Sequence, residues 1–164
     1  MTSFEQFFAR EYEPMVRSLT LAIGSRAAAE DAAATGFERA FRRWAHVGGL
    51  ERPGTWVYVV AVRKARRALA DDRKRALGPD QPEPGVEAEV VSAQWIASTL
   101  SALTARQRAV VVLRHRGGLR VDEIAEALGI SSGTVKSTLH AAYRRLRVEL
   151  TEQTHLEELA DDAY

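Results

Sequence analysis

A chain of 164 residues is long enough for one medium domain or two small ones. Its 46% apolar and 27% charged residues are those of an ordinary folded protein. The absence of cysteine excludes disulfides, cysteine-ligated zinc and thiol redox chemistry in the chain itself. The net charge of +1 conceals blocks: residues 1–75 carry 14 basic and 9 acidic side chains (net +5), residues 76–98 only four acids (net −4), residues 99–150 9 basic and 4 acidic (net +5), and residues 151–164 five acids (net −5). Two cationic modules with an acidic linker and an acidic tail suit a protein that faces nucleic acid, although two solvated helical domains would share the pattern.

Ser3, with Gln6 three residues later, predicts a capping box opening a first helix whose apolar residues are Phe4, Phe7, Phe8, Tyr12 and Met15. Pro14 should kink or end it, with Val16–Ile23 following as a second segment before a break and cap at Gly24-Ser25. An Ala-rich helix is expected from about Arg26 to Ala45. Phe37, Phe41 and Trp44 would lie on its core side, and Asp31, Glu38, Arg39, Arg42 and Arg43 lie off that stripe, free for a protein partner. His46–Thr55 reads as a loop around Gly48-Gly49 and Pro53-Gly54.

Trp56–Val62 has the β-branched content of a buried strand. The helical stretch that follows, and the lack of a pairing strand, favour one helix from about Thr55 to Ala76. The run is also too short to span a bilayer, and no signal peptide pattern is seen, so a cytoplasmic protein without membrane insertion is expected. The later part of this helix carries Arg63, Lys64, Arg66 and Arg67. A solvated basic face would explain those charges, but Trp56 and Tyr58 beside them form the pairing that stacks bases and neutralises single-strand phosphates. Residues 77–92, with Gly78-Pro79, Pro82 and Pro84-Gly85, read as an acidic linker. A helix over about Ala93–Ala102, with Trp95, Ile96, Thr99 and Leu100 on its apolar side, comes next. Thr104 with Gln107 then caps a helix to about His115.

The most informative stretch is residues 121–147. Val121, Ile124, Ala125 and Leu128 form one helical stripe, Gly129 stops it, and Ser131 is placed to cap a second helix. That helix carries Val135, Leu139, Ala142 and Leu146 on one side. The other shows Ser132, Thr134, Lys136, Ser137, His140, Tyr143, Arg144 and Arg145. A solvated helical hairpin is the plain alternative; the agreement of turn, caps and charge favours a DNA-binding helix-turn-helix. Residues 151–164 read as a frayed or weakly helical tail. The expected architecture is all-α: two small helical domains (1–76 and 93–150) joined by a flexible acidic linker (77–92), followed by the tail. No acid–base pair, nucleophile elbow, phosphate loop or metal set is apparent. His46, His115, His140 and His155 are scattered, so neither an enzyme, a cofactor nor a small-molecule substrate is expected.

Residues 103–147 resemble the promoter −35-binding domain of bacterial sigma factors of the sigma-70 family, most closely the extracytoplasmic-function (ECF) group. The match is carried by Leu103, Arg106–Arg108, Leu113, Arg114, Glu123–Ala125, Leu128–Ser131, Gly133–Lys136 and Arg144–Arg147. Ala29-Glu30-Asp31, Phe37, Arg39, Ala40, Trp44 and Gly54–Trp56 extend the resemblance, in order, through the first half. It implies a protein that binds core RNA polymerase and promoter DNA, under an anti-sigma factor or other regulatory protein. Polymerase contacts would come from Glu30, Asp31, Ala34, Thr35 and Glu38. The −10 element would be read by His46, Gly48, Gly49, Trp56, Tyr58, Arg63, Arg66 and Arg67. The −35 element would be read by Ser131, Ser132, Thr134, Lys136, Ser137, His140, Arg144 and Arg145. The family usually has a Gln-Glu pair where Ala34-Thr35 stand, an Asn at Arg63, an Asp at Arg67 and a Ser at Arg120. With Gly36 inside a helix, these departures leave room for a divergent DNA-binding regulator, or for a decoy that sequesters an anti-sigma factor.

Overall fold

The computed structural model describes residues 2–69 and 95–161, side chains excepted at 68 and 152–161. Among these residues there is no strand. The elements are α1 (Phe4–Ile23), α2 (Arg26–Arg42), α3 (Trp44–Val47), α4 (Pro53–Leu69), α5 (95–101), α6 (Ala105–His115), α7 (Val121–Leu128) and α8 (Ser132–Asp161). The expected linker at 77–92 lies outside the described residues, as do positions 70–76 of the expected basic helix.

The helix boundaries follow local chemistry. Ser3 and Gln6 close a reciprocal capping box on α1, and Thr104 and Gln107 do the same on α6. Ser25 caps α2 by accepting the Ala28 N–H. Gly24 and Gly129 end α1 and α7 in the left-handed conformation, at φ 79° and 68°. α4 opens on Pro53, whose fixed φ suits a first helical turn. Trp56–Val62 therefore lies in a helix, and the loop is narrower than expected because His46 and Val47 belong to the single turn α3.

Two further expectations are corrected. Pro14 sits inside a continuous α1, so the helix absorbs one missing backbone donor without breaking. α2 ends at Arg42 because Arg43 leaves helical geometry and tightens its N–H onto Ala40. That exit leaves Phe41 61% exposed, not in the core; Phe37 is buried and Trp44 half-buried. Of the two alternatives for the tail the helical one is seen, since α8 continues to Asp161.

The helices pack in two groups that also pack on each other. α1, α2 and α4 form the first, with the small residues Ala29, Ala32, Ala33, Gly36 and Ala40 buried on α2. α6, α7 and α8 form the second, with Ile124, Leu128, Val135, Leu139 and Ala142 turned inward. Burying a side chain of the Ile or Leu kind is worth about 1.5–3 kcal/mol. Between the groups α1 lies on α6 and α4 on α7, and one hydrophobic core runs through both.

Candidate nucleic-acid interface

α8 follows α7 after a tight turn at Gly129–Ser131, and their apolar stripes face each other. Ser131 accepts the Thr134 N–H at 3.0 Å, and the two hydroxyls lie 2.8 Å apart. Both are thereby engaged in starting the helix. Beyond them Ser132, Lys136, Ser137, His140, Arg144 and Arg145 are exposed along one side of α8. Lys136, Arg144 and Arg145 form no ion pair among the described residues, which leaves their charge available for phosphate. Tyr143 is tied to His115 by a 2.8 Å hydrogen bond. Arg120 gives α7 no side-chain cap, as its chemistry requires; the Glu123 carboxylate accepts the Arg120 N–H at 2.7 Å instead.

The second surface is a cleft of about 710 Å³ where α2, α4 and α7 meet. Arg39, Arg42, Arg43, Arg52 and Arg63 surround Trp56 there, with Glu123 and Glu126 on the α7 side. Five guanidinium groups around a half-buried indole can neutralise phosphate and stack a base. Nothing in the sequence marks Arg52, and helical spacing places Arg39, Arg42 and Arg43 off the core stripe, where a protein partner is expected. Their spacing around Trp56 depends on the α2–α4 crossing, which no short motif encodes. Arg66 and Arg67 are exposed farther along α4, and His46 and Gly49 are exposed near α3.

Tyr58 does not occupy the place expected of it. Only 5% of its surface is accessible, and its oxygen lies 2.6 Å from that of Ser18 on α1. Burial pushes the phenol up to about 12 against the Ser18 hydrogen bond and the nearby Arg116 charge. Two residues from Trp56, it points to the core side of the same helix and offers no ring face to a base.

On α2, Asp31, Ala34 and Glu38 make an exposed stripe. Asp31 lies 3.6 Å from Lys64, and Glu38 pairs with Arg42 at 2.6 Å. Glu30 is held by Arg26 at 2.9 Å. The Thr35 hydroxyl donates back to the Asp31 carbonyl at 3.0 Å, and buried Gly36 faces α4. No group of His, Asp or Glu among the described residues could hold a metal ion, and no described helix is long and apolar enough to cross a membrane.

Residues 8–75 match the family Sigma-70 region 2, and residues 93–146 match Sigma-70, region 4. The chain is similar to the RNA polymerase sigma-E factor of Streptomyces coelicolor, 30% identical over 152 residues that cover 90% of this chain and 85% of that protein. It is also similar to the ECF RNA polymerase sigma factor SigL of Mycobacterium tuberculosis, 34% identical over 145 residues covering 79% and 78%. To the RNA polymerase sigma factor SigV of Bacillus subtilis it is 28% identical over 103 residues, 60% of this chain and 61% of that one. The matched segments coincide with the two helical groups.

Proposed function

The chain belongs to the sigma-70 family of RNA polymerase sigma factors, in its ECF group, as an alternative sigma factor that directs promoter recognition, and we propose how its surfaces divide that task. Residues 1–76 act as the unit that binds core RNA polymerase and the −10 element, and residues 93–150 as the unit that binds the −35 element. Ser132, Lys136, Ser137 and His140 meet base edges or phosphates in the −35 major groove, with Arg144 and Arg145 on phosphate. Ser131 and Thr134 fix the start of α8 and contribute through its position. Trp56, with Arg63 and the neighbouring arginines, takes an unstacked −10 base. Opening the duplex then requires no chemistry, only a site that prefers unstacked bases. The factor is read as non-enzymatic and cytoplasmic.

The observation that carries the −10 assignment is the ring of arginines around Trp56. On the polymerase side the exposed Asp31–Ala34–Glu38 stripe supports a protein contact. An anti-sigma factor or similar regulator belongs to the same reading. Phe41 and Phe8, both exposed around Phe4, present apolar surface of the sort a protein partner covers. The −10 assignment is tested by permanganate footprinting of promoter complexes formed with core polymerase. Wild-type protein should make thymines in the −10 region reactive and Trp56→Ala should not; equal reactivity would remove Trp56 from the site.

A further inference from the structure

We propose that Tyr143 on α8 is a phosphate contact of the −35 duplex, and that His115, at the end of α6, is a positioning residue that frees its hydroxyl hydrogen on taking up a proton. The inference rests on the −35 assignment of α8 and adds one contact to it. Tyr143 follows Ser132, Lys136 and His140 at spacings of four, four and three, so all four stand along one stripe of the helix. Tyr143 is 39% exposed, and its oxygen lies 2.8 Å from Nε2 of His115, with the two rings edge to face at 5.9 Å. His115 is itself exposed. Water competes for both groups, so the bond adds little stability. What it does fix is the direction of the phenol hydrogen on the DNA-facing side of α8.

Each group can donate or accept, and the number of protons decides which. Between neutral partners the phenol is the stronger acid, so it donates to Nε2 and turns only oxygen lone pairs to solvent. A phosphate oxygen is repelled by that arrangement. The imidazolium has no lone pair left. Its Nε2–H donates to the phenol oxygen, and the phenol hydrogen turns outward, where a phosphate oxygen accepts it. The proton comes from solvent and stays on the ring. A phosphate beside the pair favours the imidazolium, so duplex binding and proton uptake reinforce one another. α8 brings His140, Arg144 and Arg147 to within about a turn of Tyr143, with Glu149 farther on. α6 and the loop after it bring Arg114, which donates to the Leu119 carbonyl at 3.1 Å, and Arg116, whose charge is felt by Tyr58. On α7, Asp122 and Glu123 lie against Arg120, and Glu126 against Arg63. Of the other helices that touch α6, α1 carries the pairs Glu11–Arg10 and Glu13–Arg26 and the exposed Arg17, and α4 carries Lys64, paired with Asp31, beside Arg66 and Arg67. The nearest charges in the chain are thus cationic, and the anion that completes the site comes from DNA.

The test uses the intact chain carrying His140→Gln, which removes the other titrating group of this stripe. This parent is compared with the same chain carrying in addition Tyr143→Phe, His115→Gln or Lys136→Ala. The probe is a rhodamine-labelled mixed-sequence duplex of two helical turns, read by anisotropy at fixed ionic strength from about pH 8 to about pH 6, across the histidine range. The parent should gain about fivefold in affinity as pH falls over that interval, the size of one net hydrogen bond. Tyr143→Phe and His115→Gln should each gain less than about twofold. Tyr143→Phe should also leave the slope of affinity against salt unchanged, because a phenol carries no charge. Both substitutions fall on exposed side chains, and either one decides the point alone. A gain equal to the parent's in Tyr143→Phe would overturn the hydroxyl contact, and an equal gain in His115→Gln, or none in the parent, would overturn the role of His115. Lys136→Ala separates these outcomes from the assignment beneath them. If it leaves duplex affinity unchanged, the stripe does not face DNA and the −35 assignment falls together with the proposal. If it weakens binding while Tyr143→Phe titrates like the parent, only the His115–Tyr143 contact falls.

Discussion

Gly36 on α2 lies directly over the backbone of Val57 on α4: a Cβ on Gly36 would come within 2.8 Å of the Val57 carbonyl oxygen and 3.0 Å of its Cγ1. The glycine that reads in sequence as a weak point of a polymerase-facing turn is the place where the two principal helices of the first unit touch. Its missing side chain sets their separation, and through it the distance from Arg39, Arg42 and Arg43 to Trp56.

Gly36→Ala should therefore destabilise the protein although alanine is the better helix former. The gain in helix propensity is about 1 kcal/mol. Forcing a methyl against a backbone carbonyl costs about 1–3 kcal/mol, because neither helix can yield locally. Thermal unfolding should show a Tm lower by up to about 8 °C, given ~2–4 °C per kcal/mol for a chain of this size. A raised Tm would show that the α2–α4 contact is looser than the structure has it.

Lys136→Ala with Arg144→Ala should weaken binding to −35 duplex and flatten its salt dependence. If both side chains contact phosphate, the slope of log K against log salt should fall in magnitude by about 1.8, at ~0.9 per phosphate contact. Titrations across a salt series measure this directly. Unchanged affinity and slope would mean that this side of α8 does not face the DNA backbone.

Tyr58→Phe should cost about 1 kcal/mol by leaving the Ser18 hydroxyl without its partner. It should also alter the alkaline limit of stability. The phenol is pushed up to about 12 in the fold from an ordinary 10.0. Its contribution is fully present below about pH 10, where both folded and unfolded chains are protonated, and is lost as pH rises towards 12, where only the unfolded chain has ionised. Wild-type Tm should fall more steeply than that of Tyr58→Phe between those limits; parallel curves would place Tyr58 outside the core.

The local half of the structure was legible in the sequence. Ser3 with Gln6, Thr104 with Gln107, and Gly129 with Ser131 act within one turn of themselves, so their spacing announces the helix ends and the helix-turn-helix. What was not legible depends on residues far apart in the chain. Tyr58 and Trp56 look equivalent beside a basic helix, and only the Ser18 contact 40 residues away turns one of them inward. Arg52 belongs to the cleft because Gly118, 66 residues on, receives its hydrogen bond. Phe41 carries core spacing, but its helix ends one residue later. The side of α8 proposed for −35 DNA belongs to one contiguous motif, so its residues can be named from spacing alone. The cleft proposed for −10 DNA is built from three helices, and spacing points only to its Trp56 and Arg63.

Transcription in vitro tests whether this chain directs promoter recognition. Core polymerase, this protein and sheared genomic DNA from its source would be combined and the 5′ ends of transcripts mapped. Discrete new starts that share elements near −10 and −35 are the expected result, and they would also read out the preferred promoter. No protein-dependent starts, although the protein alone binds duplex DNA, would contradict that role and leave a DNA-binding regulator or an anti-sigma decoy in its place.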